Sequence, residues 1–404
     1  MNIRQIELKC ETVTPLFMSG ADGMTPELRA PSIKALIRYW WRAANADLNM
    51  DTLIDNEKNI FGGTGKTIKQ DDNIKKNKEY GRSKVGIRVK HNISNHDISD
   101  SLYGNDIKYK MKQGGKGNYY KAPIEYKGIC YMLYSVILPN KERKYIKANT
   151  NFSIVLTFND KDKKDINEFL KGFIFLEYFG ALGTRSRRGA GSFRVLNLNG
   201  DTEYIDDNIK DNIVMDEIDN NAGVIKRIKN ITGNLKKPVN ENYSVLKGSK
   251  ILVFDPKDTW KDALEFTGNN FKKFRDKFYL YPNIDIYSPA SFGLPIIHKK
   301  GKNTKAMIVK GKNCKQVISK RFPPFISRRS SPLIFKVIKT EKNMYFPIII
   351  YLNGEFLPKG YAINNNINNE TKYPNRNVVN DFLNTFGKND YEEMTIWNIY
   401  YYLP

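Results

Sequence analysis

Residues 178–193 are YFGALGTRSRRGAGSF, and the segments on either side of this stretch decide the fold. In Lys163–Leu182, which leads into it, apolar residues recur at three- and four-residue steps and predict a helix. The segment that follows, Ser192–Leu198, has the composition of a strand. The stretch is therefore a helix-to-strand turn, and it carries Gly183, Arg185, Arg187, Arg188, Gly189 and Gly191.

This turn combines the conformational freedom of its glycines with the positive charge of its arginines. Glycine allows a ligand to approach the backbone closely, and each guanidinium can hold a phosphate through two hydrogen bonds. The turn therefore suits a phosphate-bearing chain. The alternative is a solvated turn in which the glycines only satisfy backbone geometry.

Working outward, the first half of the chain has the order of a split βαβ unit. Ile3–Thr12 alternates as a strand, Pro31 opens a helix with one apolar face, and Val85, Ile87 and Val89 alternate again. Apolar runs at Ile129–Leu138 and Phe152–Phe158 are interpreted as further strands. Polar insertions at 64–84 and 94–123 interrupt this order. The order of strands and helices predicts one sheet covered on one face by two helices.

A second unit follows the polar segment Asp201–Asn221. Its predicted elements are strands at Ile251–Phe254, Leu333–Ile338 and Tyr345–Leu352, and helices at Trp260–Phe278 and Val378–Phe386. We therefore expect an α+β fold of two tandem ferredoxin-like (RRM-like) domains with loop insertions, divided at 1–205 and 206–404. The length of 404 residues favours two domains.

The charge balance points to a polyanionic partner. Lysine and arginine number 66 against 43 acidic residues, giving a formal net charge of +23. Between Lys299 and Lys342 there are fourteen basic residues and one acid, Glu341. Such clustering favours nucleic acid as the partner, although a lysine-rich composition can also reflect genome bias. Arg328 and Arg329 lie in this basic stretch.

A second basic group lies on the first predicted helix. Lys34, Arg38 and Arg42 are four residues apart, and Arg29 extends the row at the N-terminal end. The row is a candidate contact for a phosphate backbone, and the alternative is a solvated helix face. Trp40 and Trp41 fall on the apolar stripe and are interpreted as core residues.

No catalytic or metal-binding constellation can be recognised. The chain has only three histidines, His91, His96 and His298, which makes a histidine-based nuclease or a triad hydrolase hard to assemble. The segment GGTGKT at Gly62 lacks the first glycine of a phosphate-binding loop and follows a helix, so ATP binding there is rejected. We expect no metal, no cofactor and no small-molecule substrate.

The cysteines and the apolar runs of the chain predict where in the cell the protein is located. Three widely separated cysteines suggest reduced thiols, and no apolar run is long enough to cross a bilayer or to act as a signal peptide. We expect a cytoplasmic protein without membrane association.

An ordered series of motifs resembles a known family. It comprises TPLFMSGAD at Thr14, ELRAPSIKALIRYWWRA at Glu27, IFGGTGK at Ile60, the glycine- and arginine-rich stretch at Tyr178, SFGLP at Ser291 and RRSSPL at Arg328. Together these motifs resemble the large RAMP-superfamily subunit of the type III-B CRISPR Cmr effector complex. The resemblance spans most of the chain.

The resemblance implies a function as well as a fold. It implies a subunit of an antiviral complex without catalytic activity, which contacts the guide CRISPR RNA toward its 3′ end and the target RNA, beside other RAMP subunits. The RNA-contacting candidates are then Arg29, Lys34, Arg38, Arg42, Arg185, Arg187, Arg188, Arg328 and Arg329. A RAMP-type metal-independent endoribonuclease and a protein-docking scaffold stay open as alternatives.

Overall fold

A computed structural model describes residues 2–63, 66–71, 74–114, 118–138, 142–215, 217–239, 243–279, 285, 287–298, 307–314, 325–366, 370–388 and 390–396. Its first unit contains β1 (Ile3–Thr12), α1 (Ala30–Ala44), α2 (Met50–Phe61), β2 (Lys66–Asp71), β3 (Ile74–Glu79), β4 (Gly86–Lys90), β5 (Ile98–Ser99), β6 (Tyr109–Gln113), β7 (Tyr119–Pro123), α3 (Lys127–Met132), α4 (Tyr134–Ile137), β8 (Tyr145–Ile146), β9 (Asn151–Asn159), α5 (Lys163–Phe179) and β10 (Phe193–Gly200).

The first unit is built on a four-stranded antiparallel sheet with the order β10-β1-β9-β4. With α1 after β1 and α5 after β9, this is the ferredoxin-like arrangement that the sequence predicts. Ile6, Leu8 and Cys10 of β1 point into the same core as the buried faces of both helices. The helices pack closely because Gly172 of α5 lies against the Ile37 carbonyl, where an added Cβ would come within 2.9 Å.

Two predictions in this unit are wrong. The run Ile129–Leu138 forms α3 and α4 rather than a strand, because its apolar side packs against a helix of the second unit. A short apolar run does not by itself distinguish a strand from a buried helix. The insertion at 64–84 contains the antiparallel hairpin β2–β3 rather than a loop, and the insertion at 94–123 contains the hairpin β6–β7.

The second half contains α6 (Asp207–Ile213), α7 (Asn221–Thr232), β11 (Val245–Phe254), α8 (Trp260–Asp276), α9 (Tyr287–Ala290), β12 (Ile296–His298), β13 (Met307–Asn313), β14 (Phe325–Ile326), β15 (Leu333–Lys339), β16 (Tyr345–Asn353), β17 (Tyr361–Asn365), β18 (Thr371–Lys372), α10 (Asn377–Leu383) and β19 (Tyr391–Thr395). The order β15-β16-β11-β19, with α8 and α10 in the two crossovers, is a second ferredoxin-like sheet. β12, β13, β14, β17 and β18 form a separate sheet from insertions in this unit.

The second sheet is covered on both faces, and this fixes how the two units meet. On one face, Leu252 and Phe335 pack with α8 and α10, whereas on the other face Ile251 and Ile334 join the core of α1 and α5. β15 is consequently buried along its whole length. The division 1–205 and 206–404 stays a proposal; α6, which follows it directly, packs on α5 and β10.

Candidate nucleic-acid interface

The glycine- and arginine-rich loop, residues 183–191, lies where the two units meet. On one side its backbone is bonded to the segment after β1: the Thr184 amide donates to the Phe17 carbonyl at 2.7 Å, and the Gly191 amide to the Pro15 carbonyl at 2.9 Å. On the other side the Phe335 amide of β15 donates to the Arg187 carbonyl at 3.2 Å. The loop is therefore held from both units.

The glycines of this loop allow other parts of the protein to pack closely against the loop backbone. Gly191 has a φ of +70°, and an added Cβ would lie 1.9 Å from the Leu182 carbonyl oxygen. Gly189 has a φ of +88° and would place a Cβ 2.3 Å from the side chain of Leu264 in α8. Both glycines are buried, so close approach to a ligand is not their role in this structure. Gly183 is partly exposed and lines a cavity.

All three loop arginines have partners inside the protein, and two of them, Arg185 and Arg188, line neither of the two cavities described below. The Arg185 Nε donates to the Ser135 hydroxyl at 2.7 Å, and its guanidinium lies 4.4 Å from the ring centroid of Tyr134. Arg188 lies 4.8 Å from the ring centroid of Phe271, and its Nη1 is buried without a hydrogen-bond partner among the described residues. Burial lowers the pKa of Arg188 to about 9, and the positive charge of Arg275 acts in the same direction.

Arg187 is the loop arginine that reaches an open space. Its Nη1 donates to the Ser331 carbonyl at 2.6 Å and its Nη2 to the Tyr39 hydroxyl at 2.8 Å. A guanidinium carries five N–H donors, and these two bonds leave three for a ligand. The side chain is therefore fixed in direction and still able to bind an anion.

Arg187 meets two other predicted arginines in one cavity of about 420 Å³, which we call the arginine cleft. Arg42 enters from α1 and Arg329 from the segment before β15. The Arg329 Nη2 donates to the Glu355 carbonyl at 2.6 Å, and Arg42 holds the Glu57 carboxylate through two bonds of 2.6 and 2.7 Å. Three distant segments of sequence thus supply one cationic site.

The arginine cleft has an excess of positive charge. Among the described residues, its lining is Tyr39, Arg42, Ala43, Met50, Leu53, Ile54, Arg187, Tyr243, Ser244, Arg329 and Ser330, a set without a carboxylate, although Arg42 is paired with Glu57 outside it. Burial lowers the pKa of Arg329, and the nearby charge of Arg187 lowers it further. A bound anion would relieve this repulsion, because opposite charge favours the protonated guanidinium.

The other predicted basic residues lie outside this lining. Arg38 pairs with Glu57, which also holds Arg42, so one buried carboxylate neutralises part of the α1 row. Burial lowers the pKa of Lys34, and Arg38 adds to the effect. Arg29 is half-buried at the start of α1, and Arg328 is exposed next to Arg329. Most of the basic stretch 299–324 lies outside the described residues.

Sequence reasoning missed the neutral members of this site. Tyr39, Tyr243 and Ser330 line the arginine cleft, and Met50 and Ile54 are about two-fifths exposed at its edge, at 40 % and 41 %. Tyr39 lies in the motif ELRAPSIKALIRYWWRA and Ser330 in the motif RRSSPL, so membership of these motifs was the available signal. The tryptophans themselves are core residues, as predicted, since each is 2 % exposed.

A second cavity, of about 580 Å³, adjoins the cleft and shares Tyr39, Arg187 and Ser330 with it. We call it the aromatic cavity, because Phe17 and Trp40 form part of its lining. Where the structure describes the chain, no group of three or more His, Cys, Asp or Glu side chains could hold a metal ion. His91 and His96 are exposed.

Known proteins are similar to the first unit and to most of the whole chain. Residues 9–194 match the model of the RAMP superfamily. This segment is therefore similar to a RAMP-superfamily domain. The matched range runs from the last residues of β1 to the start of β10 and includes the glycine- and arginine-rich loop.

Relatives in sequence extend this likeness beyond residues 9–194. The chain is 26 % identical over 370 residues to CRISPR system Cmr subunit Cmr1-1 of Pyrococcus furiosus, covering 89 % of this chain and 90 % of that one. It is 29 % identical over 199 residues to Cmr1-2 of the same organism, covering 46 % and 91 %. These matches confirm the resemblance drawn from the sequence motifs.

Solved structures confirm the fold. The crystal structure of Cmr1 from Pyrococcus furiosus in its apo form superposes with a TM-score of 0.56 at 20 % identity, covering 98 % of this chain and 99 % of that one. A subunit of the type III-B Cmr-beta complex bound to cognate target RNA superposes with a TM-score of 0.55 at 13 % identity, covering 95 % and 98 %. Within the described residues, none of the helices has the length and hydropathy needed to cross a bilayer.

Proposed function

We propose that this chain is an RNA-binding, non-catalytic subunit of a type III-B Cmr effector complex, contacting guide CRISPR RNA toward its 3′ end and target RNA. The observation that carries the proposal is the arginine cleft, where Arg42, Arg187 and Arg329 line one cavity that has no carboxylate among its described lining residues. The likeness to the Cmr1 subunits over most of the chain supports the assignment to that complex.

The chemistry of the cleft favours single-stranded RNA over a duplex. Proteins that bind single strands combine positive charge along the backbone with aromatic and apolar groups on which bases stack. Tyr39 and Tyr243 lie among the three arginines, and Met50 and Ile54 add exposed apolar surface. Phosphates would bind the guanidinium groups, and bases would pack on the tyrosines.

The predicted residues divide into two roles under this proposal. Arg42, Arg187 and Arg329 contact phosphate directly, and Arg29, Lys34, Arg38 and Arg328 add longer-range attraction from the neighbouring surface. Arg185 and Arg188 act on RNA only through the loop, since their guanidinium groups pack on Tyr134 and on Phe271.

Binding can be measured with the purified chain and a 15-nucleotide single-stranded RNA, by fluorescence anisotropy over a range of salt. Phosphate contacts on single strands each contribute about 0.7 to the slope of log K against log salt. Replacing Arg42, Arg187 and Arg329 with Gln should therefore flatten the slope by about 2. The control replaces Arg82, Arg88 and Arg143 with Gln, an equal change of charge at exposed positions outside the cleft. Equal effects of the two triple variants would contradict a dedicated cleft.

The two alternatives are separated by further measurements. Incubation with guide precursor and with target RNA should leave both RNAs intact; defined products abolished by one side-chain change would instead favour the endoribonuclease. For a protein-docking scaffold, crosslinking in the assembled complex would join this chain to protein neighbours and not to RNA. Crosslinks from the cleft to RNA are the expected result.

A further inference from the structure

The aromatic cavity has the size and the walls of a ligand site. Its volume of about 580 Å³ lies within the range of about 300–1,000 Å³ that is usual for small-molecule sites. Phe17, Trp40 and Ile334, each 2 % exposed, form a rigid apolar base, and Leu36 and Tyr39 add to it. A flat, largely apolar group would be well packed there.

Polar atoms in the same cavity are without partners. The indole Nε1–H of Trp40 makes no hydrogen bond with any described residue, and it lies beside Gly180, which also lines the cavity. Within the described part of the chain, the hydroxyls of Ser32, Thr184 and Ser186 have no hydrogen-bond partner either. These atoms are accessible from the cavity and are not bonded to the described residues, so a ligand with an acceptor edge could form hydrogen bonds with them.

The charge around this cavity restricts the ligand further. In the part of the chain that the structure describes, its lining contains no carboxylate and no lysine, and Arg187, which it shares with the arginine cleft, is its one charged member. The cavity therefore suits a neutral, planar group with hydrogen-bonding edges that is joined to an anion at one side.

We propose that the aromatic cavity takes one nucleobase splayed out from single-stranded RNA, while Arg187 holds the adjoining phosphate at the boundary with the arginine cleft. This inference rests on the proposed function, and it adds a base-binding site to a surface that otherwise binds phosphate. Extruding a base is least costly in a single strand, because no pairing has to be broken.

The cavity can be closed without disturbing the core. Ala35 lies at its lining on the exposed side of α1, so Ala35→Trp would fill the opening, and Thr184→Trp would do so from the exposed part of the loop. Thr52→Trp is the matched control, at an exposed position of α2 outside both linings. Circular dichroism checks that each variant is folded.

Affinity for the 15-nucleotide RNA then separates the two proposals. Stacking of one base contributes about 1–3 kcal/mol, so Ala35→Trp and Thr184→Trp should each weaken binding about 5- to 150-fold. The salt slope should stay unchanged, because no phosphate contact is lost. Tight binding by both variants, with the wild-type salt slope, would overturn the base site and leave the RNA-binding proposal standing. Failure of the wild-type chain to bind RNA at all would overturn both.

A nucleotide titration tests the base itself. Saturation-transfer NMR with adenosine 5′-monophosphate should show transfer to the base protons, and the transfer should be lost in Ala35→Trp and kept in Thr52→Trp. Ribose 5-phosphate, which lacks the base, should not displace the nucleotide at equal concentration. Displacement by ribose 5-phosphate, or equal transfer in both tryptophan variants, would contradict a base in this cavity.

Discussion

Replacing Arg187 with Met is the most direct test of how the arginine cleft works. The substitution keeps much of the side-chain length and removes the charge together with the bonds to the Ser331 carbonyl and the Tyr39 hydroxyl. It leaves the backbone bond between the Phe335 amide and the Arg187 carbonyl in place. The loop should therefore keep its position.

The expected magnitudes follow from those contacts. Hydrogen bonds from charged groups contribute about 1.5–3 kcal/mol when buried, and Arg187 is half-buried, so the free energy of unfolding should fall by about 1–2 kcal/mol. Loss of one charge-assisted phosphate contact should weaken RNA binding by about 1.5–3 kcal/mol, or roughly 10- to 150-fold. The salt slope should fall by about 0.7.

Anisotropy titrations at several salt concentrations provide the assay, and two further variants provide the comparison. Arg187→Lys keeps the charge and loses the planar fork, so it should keep the slope and lose part of the affinity. Arg88→Met removes an exposed arginine of β4 and should change affinity little. The reasoning is refuted if Arg187→Met keeps the wild-type slope, or if Arg88→Met flattens it equally.

Three other outcomes are expected. Gly191→Ala should lower the free energy of unfolding by about 1–3 kcal/mol in denaturant titrations, because the φ of Gly191 is positive and a carbonyl lies where the Cβ would be. Gly81→Ala is the control and should be nearly neutral, because no atom lies close to the added Cβ. Glu57→Gln should tighten RNA binding and steepen its salt slope, because Arg42 loses its ion pair; weaker binding would contradict a phosphate role for this arginine. Burial raises the pKa of Glu177 to about 8, so the folded state retains a proton that the unfolded state releases above about pH 4.5. The stability of the wild type relative to Glu177→Gln should therefore fall as the pH rises from about 5 to 8. A rise in this relative stability, measured by thermal unfolding, would contradict the prediction.

Part of the site could be predicted from the sequence, because the residues concerned lie close together along the chain. The loop between Gly183 and Gly191 is continuous in sequence, and the row Lys34, Arg38 and Arg42 follows from helical spacing. Composition marked the arginines as candidates. It did not show which of them line one common cavity.

The remainder of the site depends on packing between distant segments. Arg188 was expected to face a phosphate, and it lies instead against Phe271 of α8, 83 residues further along the chain. The loop glycines were interpreted as openings for a ligand, and two of them accommodate Leu182 and Leu264. Side-chain direction in a loop is set by what packs against it, which a local pattern does not contain.

The amino-acid sequence alone determined the succession of strands and helices around the first sheet, because alternation and helical spacing are properties of neighbouring residues. Around the second sheet it predicted three of the four strands and both helices, and it missed β19. It also marked the charged loop. The tertiary structure decided that β15 is buried on both faces and that Ile129–Leu138 is helical, since each depends on elements far away in the chain. It also decided that Arg42, Arg187 and Arg329 share one cleft, because only the packing of the second sheet on α1 and α5 brings those three segments together.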